Sequence, residues 1–117
     1  MPQRKTKIPE HPKTLHAGFK KFDIVVESLD KDKLYGCVEF DKHKITIDPN
    51  QSLVDYKGTL LHEILHVYYD MFGLGDDDEM PTIGNEYLTH VTTSIMQLMN
   101  GLNPELFAFL FSDNEDE

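Results

Sequence analysis

Two histidines and a glutamate occur at a spacing that suits metal-assisted hydrolysis, in the run His62-Glu63-Ile64-Leu65-His66. Residues four apart on a helix share one face, so both imidazoles could bind one zinc ion at about 2.0–2.1 Å. Glu63 would project beside a zinc-bound water and act as its general base, aided by the metal lowering the pKa of that water. The pattern therefore predicts zinc ligands at His62 and His66 and a catalytic base at Glu63. The alternative is two surface histidines on a structural helix.

A catalytic zinc site needs a third protein ligand and an open position. Glu86 is the first candidate, because residues 67–85 allow a loop and a return of the chain past the first two ligands. Its other interpretation is a surface glutamate near a helix start, where the helix dipole favours negative charge. His90 follows Glu86 at helical i+4 spacing. It could orient a ligand, contact substrate, act as an alternative ligand or serve a structural role.

Three tyrosines near these residues could polarise a substrate carbonyl or stabilise a tetrahedral intermediate: Tyr68, Tyr69 and Tyr87. The commoner role for each is that of a core aromatic residue. The single cysteine, Cys37, rules out an intramolecular disulfide and is interpreted as a small buried hydrophobe. The remaining histidines are interpreted as structural: His11, His16 and His43.

One helix must carry the histidine pair. Apolar residues recur at helical spacing over residues 53–72, which predicts a long amphipathic helix. Ser52 is the expected N-cap, and Gly73 is the expected residue after the last turn. A second helix is predicted over residues 83–100.

The elements around these helices complete the predicted order. The run Ile24-Val25-Val26 indicates a strand, and residues 34–40 and 44–47 indicate a β-hairpin. Residues 14–22 fit a short amphipathic helix. Asn100-Gly101 is expected to end the second helix, and Asn103-Pro104 to begin a last one reaching residue 111. The acidic run at 76–79 is interpreted as a solvated loop, with cation binding as the alternative. Strands followed by helices predict an α+β fold.

Charge is distributed unevenly over the 117 residues. The first 21 residues carry six Lys or Arg and one Glu, whereas the remainder carries five lysines and twenty acidic residues, for a net charge of −10. An acidic body argues against nucleic acid as the principal partner. No apolar run approaches the length of a membrane span, and no secretion signal is visible, so a cytoplasmic location is expected. We expect a basic flexible arm over 1–14, one domain over 15–111 and an acidic tail over 112–117.

The H-E-x-x-H pattern at 62–66 followed by Asn85-Glu86 resembles the gluzincin arrangement of thermolysin-like peptidases. In that family a glutamate on the second helix completes the zinc site, which implies Glu86 as third ligand and Glu63 as base. His90 departs from the family pattern, because those enzymes place there an aspartate that orients the first histidine. In size and element order the chain is more similar to minimal zincins, the ImmA/IrrE-like and SprT-like metallopeptidases of bacteria, phages and mobile elements.

The resemblance implies a small zincin metallopeptidase that cleaves a peptide or protein, with Zn²⁺ as cofactor. Zincins commonly bind substrate as an added strand at a sheet edge, which the 34–40 or 44–47 segment would supply. The alternative function is a catalytically silent zincin-like module that recognises a protein partner. A third hypothesis is a metal hydrolase that acts on something other than peptides, such as a small amide.

Overall fold

The computed structural model describes residues 8–29, 33–73 and 85–113. These residues form a four-stranded mixed sheet and three α-helices, which confirms the α+β class. The predicted acidic loop at 76–79 lies outside the described residues. Within them, no helix is both long and apolar enough to cross a membrane. The elements in chain order are β1 (Thr14–Ala17), β2 (Lys20–Val26), β3 (Gly36–Glu39), β4 (Lys44–Ile47), α1 (Leu53–Met71), α2 (Asn85–Leu102) and α3 (Pro104–Leu110).

The strands lie in the order β1-β2-β4-β3, so β1 and β3 form the two edges of this sheet. β1 pairs with β2 and β3 with β4 in antiparallel fashion, as hairpins allow. β2 and β4 are parallel, with Ile24 opposite Ile45. The predicted strand at 24–26 and the hairpin of 34–40 with 44–47 are both confirmed.

The prediction of a short helix over residues 14–22 is wrong. Those residues form β1, a turn and the start of β2. Gly18 permits the turn with a φ of +68°, a value that glycine adopts readily. Leu15 and Ala17 are buried while His16 between them is exposed, which is the two-residue period of a strand. A helix would have placed Phe19 on the same face as Leu15 and Phe22, but Phe19 is fully exposed.

Helix α1 begins and ends as predicted. The Ser52 hydroxyl accepts a hydrogen bond from the backbone N–H of Asp55 at 3.1 Å, and Gly73 follows the helix with a φ of +79°. Leu60 and Ile64 on its inner face are fully buried in the cluster that includes the sheet residues Ile45 and Ile47. The opposite face of α1, which carries the two histidines, is left open to solvent.

The end of α2 differs from the prediction. The helix continues through Gly101 to Leu102, and Pro104 then begins α3 as expected. Asn103 makes no side-chain cap for α3. Its Oδ1 instead accepts from the backbone N–H of His16 at 2.7 Å, and its Nδ2 donates to the His16 carbonyl at 3.0 Å. One amide side chain thus occupies the outer edge of β1 in place of another strand.

Residues 8–13 have no regular secondary structure, but His11 in this part of the predicted flexible arm is 7% exposed. Its Nδ1 donates to the Pro12 carbonyl and its Nε2 accepts from the Tyr56 hydroxyl, both at 2.7 Å. A carbonyl can only accept, so Nδ1 carries a proton, and in the neutral ring Nε2 is then the acceptor of the Tyr56 hydroxyl proton. Burial lowers the pKa of His11, against a smaller opposing effect of the Pro12 carbonyl. The arm is therefore anchored to α1 at this point.

The lowered pKa of His11 predicts a loss of stability in mild acid. Above the unfolded value of 6.5 the ring is neutral in both states. Below it the unfolded chain binds a proton that the folded chain takes up only at lower pH, so the free energy of unfolding falls. Urea titrations of wild type and His11→Gln should show that the substitution lowers the free energy of unfolding by less at pH 5.5 than at pH 7.5. For Gln97→Asn, which exchanges one uncharged side chain for another at an exposed position of α2, any cost should be the same at both pH values. A constant cost for His11→Gln would contradict the prediction.

Candidate metal centre

His62 and His66 lie one turn apart on the exposed face of α1, and their side chains converge. The two Nε2 atoms are 3.1 Å apart, and the rings meet edge to face with centroids 4.6 Å apart. Two nitrogens at this separation can both reach a single ion at about 2.0–2.1 Å, the usual zinc–imidazole distance. The donor pair therefore fits a zinc ion.

Glu63 sits beside this pair but points toward the sheet. It is 8% exposed, unlike the two exposed histidines on either side of it in the motif. Burial raises the pKa of the Glu63 carboxyl, and the nearby His62 and His66 oppose that rise. A raised pKa makes a carboxylate a stronger base, so the surroundings of Glu63 suit a group that accepts a proton.

The position of Glu63 depends on a glycine that the sequence interpretation did not single out. A Cβ at Gly36 would lie 2.8 Å from Thr59 Cγ2, 3.0 Å from Ile47 Cδ1 and 3.2 Å from Glu63 Cγ. Only glycine therefore lets β3 pack this closely on α1. A glycine inside a β-prone run often marks a close backbone approach, and this signal was present in the sequence.

An open cleft of about 830 Å³ lies between the start of β3 and α1, next to this glutamate. The Gln51 side chain connects the β3 side of the cleft to α1. Its Nε2 donates to the carbonyls of Asp48 at 2.7 Å and Tyr35 at 3.3 Å, and its Oε1 accepts from the Thr59 hydroxyl at 2.9 Å. No local pattern in the sequence indicated this role. The cleft is lined by Tyr35, Gly36, Asn50, Gln51, Val54, Asp55, Gly58, Thr59, His62 and Glu63.

The outer edge of β3 runs along this cleft. The Asp48 N–H donates to the Tyr35 carbonyl at 2.9 Å, which identifies these two as a hydrogen-bonded pair across the hairpin. Because antiparallel pairs alternate, the N–H and C=O groups of Gly36 and Val38 point away from β4. Within the part of the chain that the structure describes, β3 therefore directs main-chain donors and acceptors outward, whereas Asn103 occupies the opposite edge of the sheet.

Glu86 lies in the first turn of α2, but its side chain is outside the described part, so its role as third ligand stays a prediction. His90 on the same helix is exposed. Among the described side chains, no group of three His, Cys, Asp or Glu residues is placed to hold a metal ion. His90 therefore does not form a three-ligand metal site with His62 and His66. A hydroxyl contact of 3.1 Å between Tyr69 and Thr92 connects the end of α1 to α2.

The three candidate tyrosines have different surroundings. Tyr68 is fully buried and its hydroxyl donates to the His16 carbonyl at 3.1 Å, which are the surroundings of a core aromatic residue. Burial raises the pKa of Tyr68. Tyr69 is half-buried with its hydroxyl against Thr92, and Tyr87 is 52% exposed on α2.

Cys37 and His43 have structural surroundings. Cys37 is half-buried on β3. Burial is the largest cause that raises the pKa of its thiol, and the negative charge of Glu39 is the next. A thiol with a raised pKa is a poor nucleophile at neutral pH. The His43 ring stacks on Phe22 with centroids 5.0 Å apart.

Comparison with protein-family models, with curated proteins and with solved structures finds no match to this chain. The geometry of the site is therefore the basis for a functional proposal.

Proposed function

We propose that this protein is a small zinc-dependent metallopeptidase with a zincin-like site on α1. One observation carries the proposal: His62 and His66 converge to 3.1 Å between their Nε2 atoms, and a buried Glu63 stands beside them at an open cleft. His62, His66 and Glu86 would hold the zinc ion. The substrate would be a peptide or protein segment lying in the cleft.

Glu63 is the group that moves protons in this proposal. When bound, zinc would polarise the scissile carbonyl and lower the pKa of the attacking water. The Glu63 carboxylate would take a proton from that water and deliver it to the leaving amine. Its burial between α1 and β3 supports this role, because a carboxyl with a raised pKa holds the proton until the amine accepts it.

Substrate orientation would come from the outer edge of β3. Main-chain hydrogen bonds to Gly36 and Val38 would hold a peptide as an added strand beside the sheet. The missing Cβ of Gly36 also leaves room for the Glu63 side chain, since a Cβ there would lie 3.2 Å from Glu63 Cγ. The same short segment would therefore position both the substrate main chain and the base.

Metal content tests the proposal directly. Wild type purified without a histidine tag and reconstituted with zinc should hold about one ion per chain by elemental analysis. Both His66→Ala and Glu86→Ala should lose it, because each removes a ligand. His16→Ala, which removes an exposed imidazole outside the cleft, should retain it.

The outcomes separate the ligand assignments. Zinc lost in His66→Ala but kept in Glu86→Ala would exclude Glu86 as the third ligand. Wild type that binds no zinc after reconstitution would exclude a metallopeptidase.

A further inference from the structure

One face of α1 carries a stripe of residues at i+4 spacing: Val54, Gly58, His62 and His66. The first three line the cleft next to β3. The stripe therefore leads from the proposed metal pair along the floor of the cleft toward the start of the helix. The cleft floor is deepest at Gly58, because glycine has no side chain.

The fold of the chain does not explain a glycine at position 58. Glycine inside a helix is less stable than alanine. Gly36 is required by the close contact of β3 with α1, and Gly18 by its positive φ. Gly58 has helical backbone, and an added Cβ there would have no heavy atom of the described residues within 4 Å. Gly101 shares these properties but lies in the last turn of α2, whereas Gly58 lies inside α1 and lines the cleft. At such a position, a residue that weakens its own helix without a packing reason is typical of a functional site.

The side chains around Gly58 indicate what would occupy the space. Tyr35 is 66% exposed and Val54 is 54% exposed, and both line the cleft. Large apolar surfaces that remain exposed beside a polar cleft are typical of binding sites. A peptide paired with Gly36 at the edge of β3 would direct alternate side chains toward α1.

We infer that Gly58 forms the floor of a subsite that accepts a bulky apolar side chain of an extended polypeptide, between Tyr35 and Val54. The inference rests on the proposed function, because it names the substrate feature that the cleft selects. The side chain would displace water from the exposed surfaces of Tyr35 and Val54, and the missing Cβ of Gly58 would give it the necessary depth. A substrate without such a residue would bind more weakly.

Peptide binding tests the subsite without relying on catalysis. Random peptides displayed on phage would be selected on zinc-loaded Glu63→Gln protein, and the strongest would be synthesised for fluorescence-anisotropy titration. The selected peptides should share a bulky apolar residue. Gly58→Leu, added to the Glu63→Gln protein, should weaken binding by about tenfold or more, because it fills the subsite. Replacing the shared residue by alanine should weaken binding to the parent but add little in the Gly58→Leu protein.

Gly101→Leu is the matched control, because Gly101 is also helical and also has open space at its Cβ but lies outside the cleft. It should leave peptide affinity unchanged. Circular dichroism should show that both leucine variants fold, since leucine favours helix over glycine. The inference is overturned if no peptide is selected, if the peptides share no apolar residue, or if Gly58→Leu binds as tightly as its parent.

Hydrolysis of the selected peptide by zinc-loaded wild type separates the two proposals. Binding that depends on Gly58 without any hydrolysis would exclude the peptidase and keep the subsite. Hydrolysis whose KM is the same in wild type and Gly58→Leu would keep the peptidase and exclude the subsite.

Discussion

Glu63→Gln is expected to lower peptide hydrolysis by about 10²–10⁴-fold while zinc content stays that of wild type. Glutamine preserves the shape of the side chain in its contact with Gly36 but cannot accept a proton. Glu63 is not one of the proposed ligands, so the metal should remain. The measurement is kcat/KM on a cleaved peptide, together with elemental analysis of the same samples.

Glu105→Gln is the control for this substitution, because Glu105 is an exposed glutamate on α3, outside the cleft. It should retain wild-type activity. Full hydrolysis by Glu63→Gln would exclude Glu63 as the general base. A wild type that binds zinc and a protein partner but hydrolyses no peptide would support the alternative of a binding module.

Gly36→Ala is expected to destabilise the protein by about 1–3 kcal/mol and to lower hydrolysis as well. The new Cβ would lie 2.8 Å from Thr59 Cγ2, which is close to the α1 backbone and has little freedom to move. β3 would have to shift away from α1, and the contact that positions Glu63 would change with it. Urea unfolding and kcat/KM would measure the two effects.

A second substitution makes the cause of this loss testable. Thr59→Ser removes Cγ2 but keeps the hydroxyl that donates to Gln51 at 2.9 Å. The double variant Gly36→Ala/Thr59→Ser should therefore recover part of the lost stability, because the contacts with Ile47 Cδ1 and Glu63 Cγ remain. Gly101→Ala, at a helical position with open space, should be as stable as wild type or more so. No recovery in the double variant would show that the clash with Thr59 is not the reason for the loss.

The sequence by itself determined the elements whose signals are local. Ser52 caps a helix whose apolar period continues to its end, and Gly73 follows it, as predicted. His62 and His66 had to share a face once that helix existed, because i+4 spacing requires it. Pro104 begins α3 for an equally local reason, since proline is suited to a first helical position.

Contacts distant in sequence had no local signal strong enough to predict them. Asn103 lies just before α3 but makes no side-chain cap for it. It bonds His16 across the fold instead, because an edge strand leaves an N–H and a carbonyl at matching positions. Residues 14–17 form a strand because they pair with β2 and bury alternate side chains. Their own composition allowed a helix equally well.

Some features of the candidate site likewise follow from local sequence, and others depend on contacts between distant residues. The identity and spacing of the motif residues are local properties and could be predicted. The burial of Glu63, the cleft beside it and the need for glycine at position 36 exist only because β3 packs on α1. The close packing of β3 on α1 depends on many core contacts between the sheet and the helix, which no short stretch of sequence encodes.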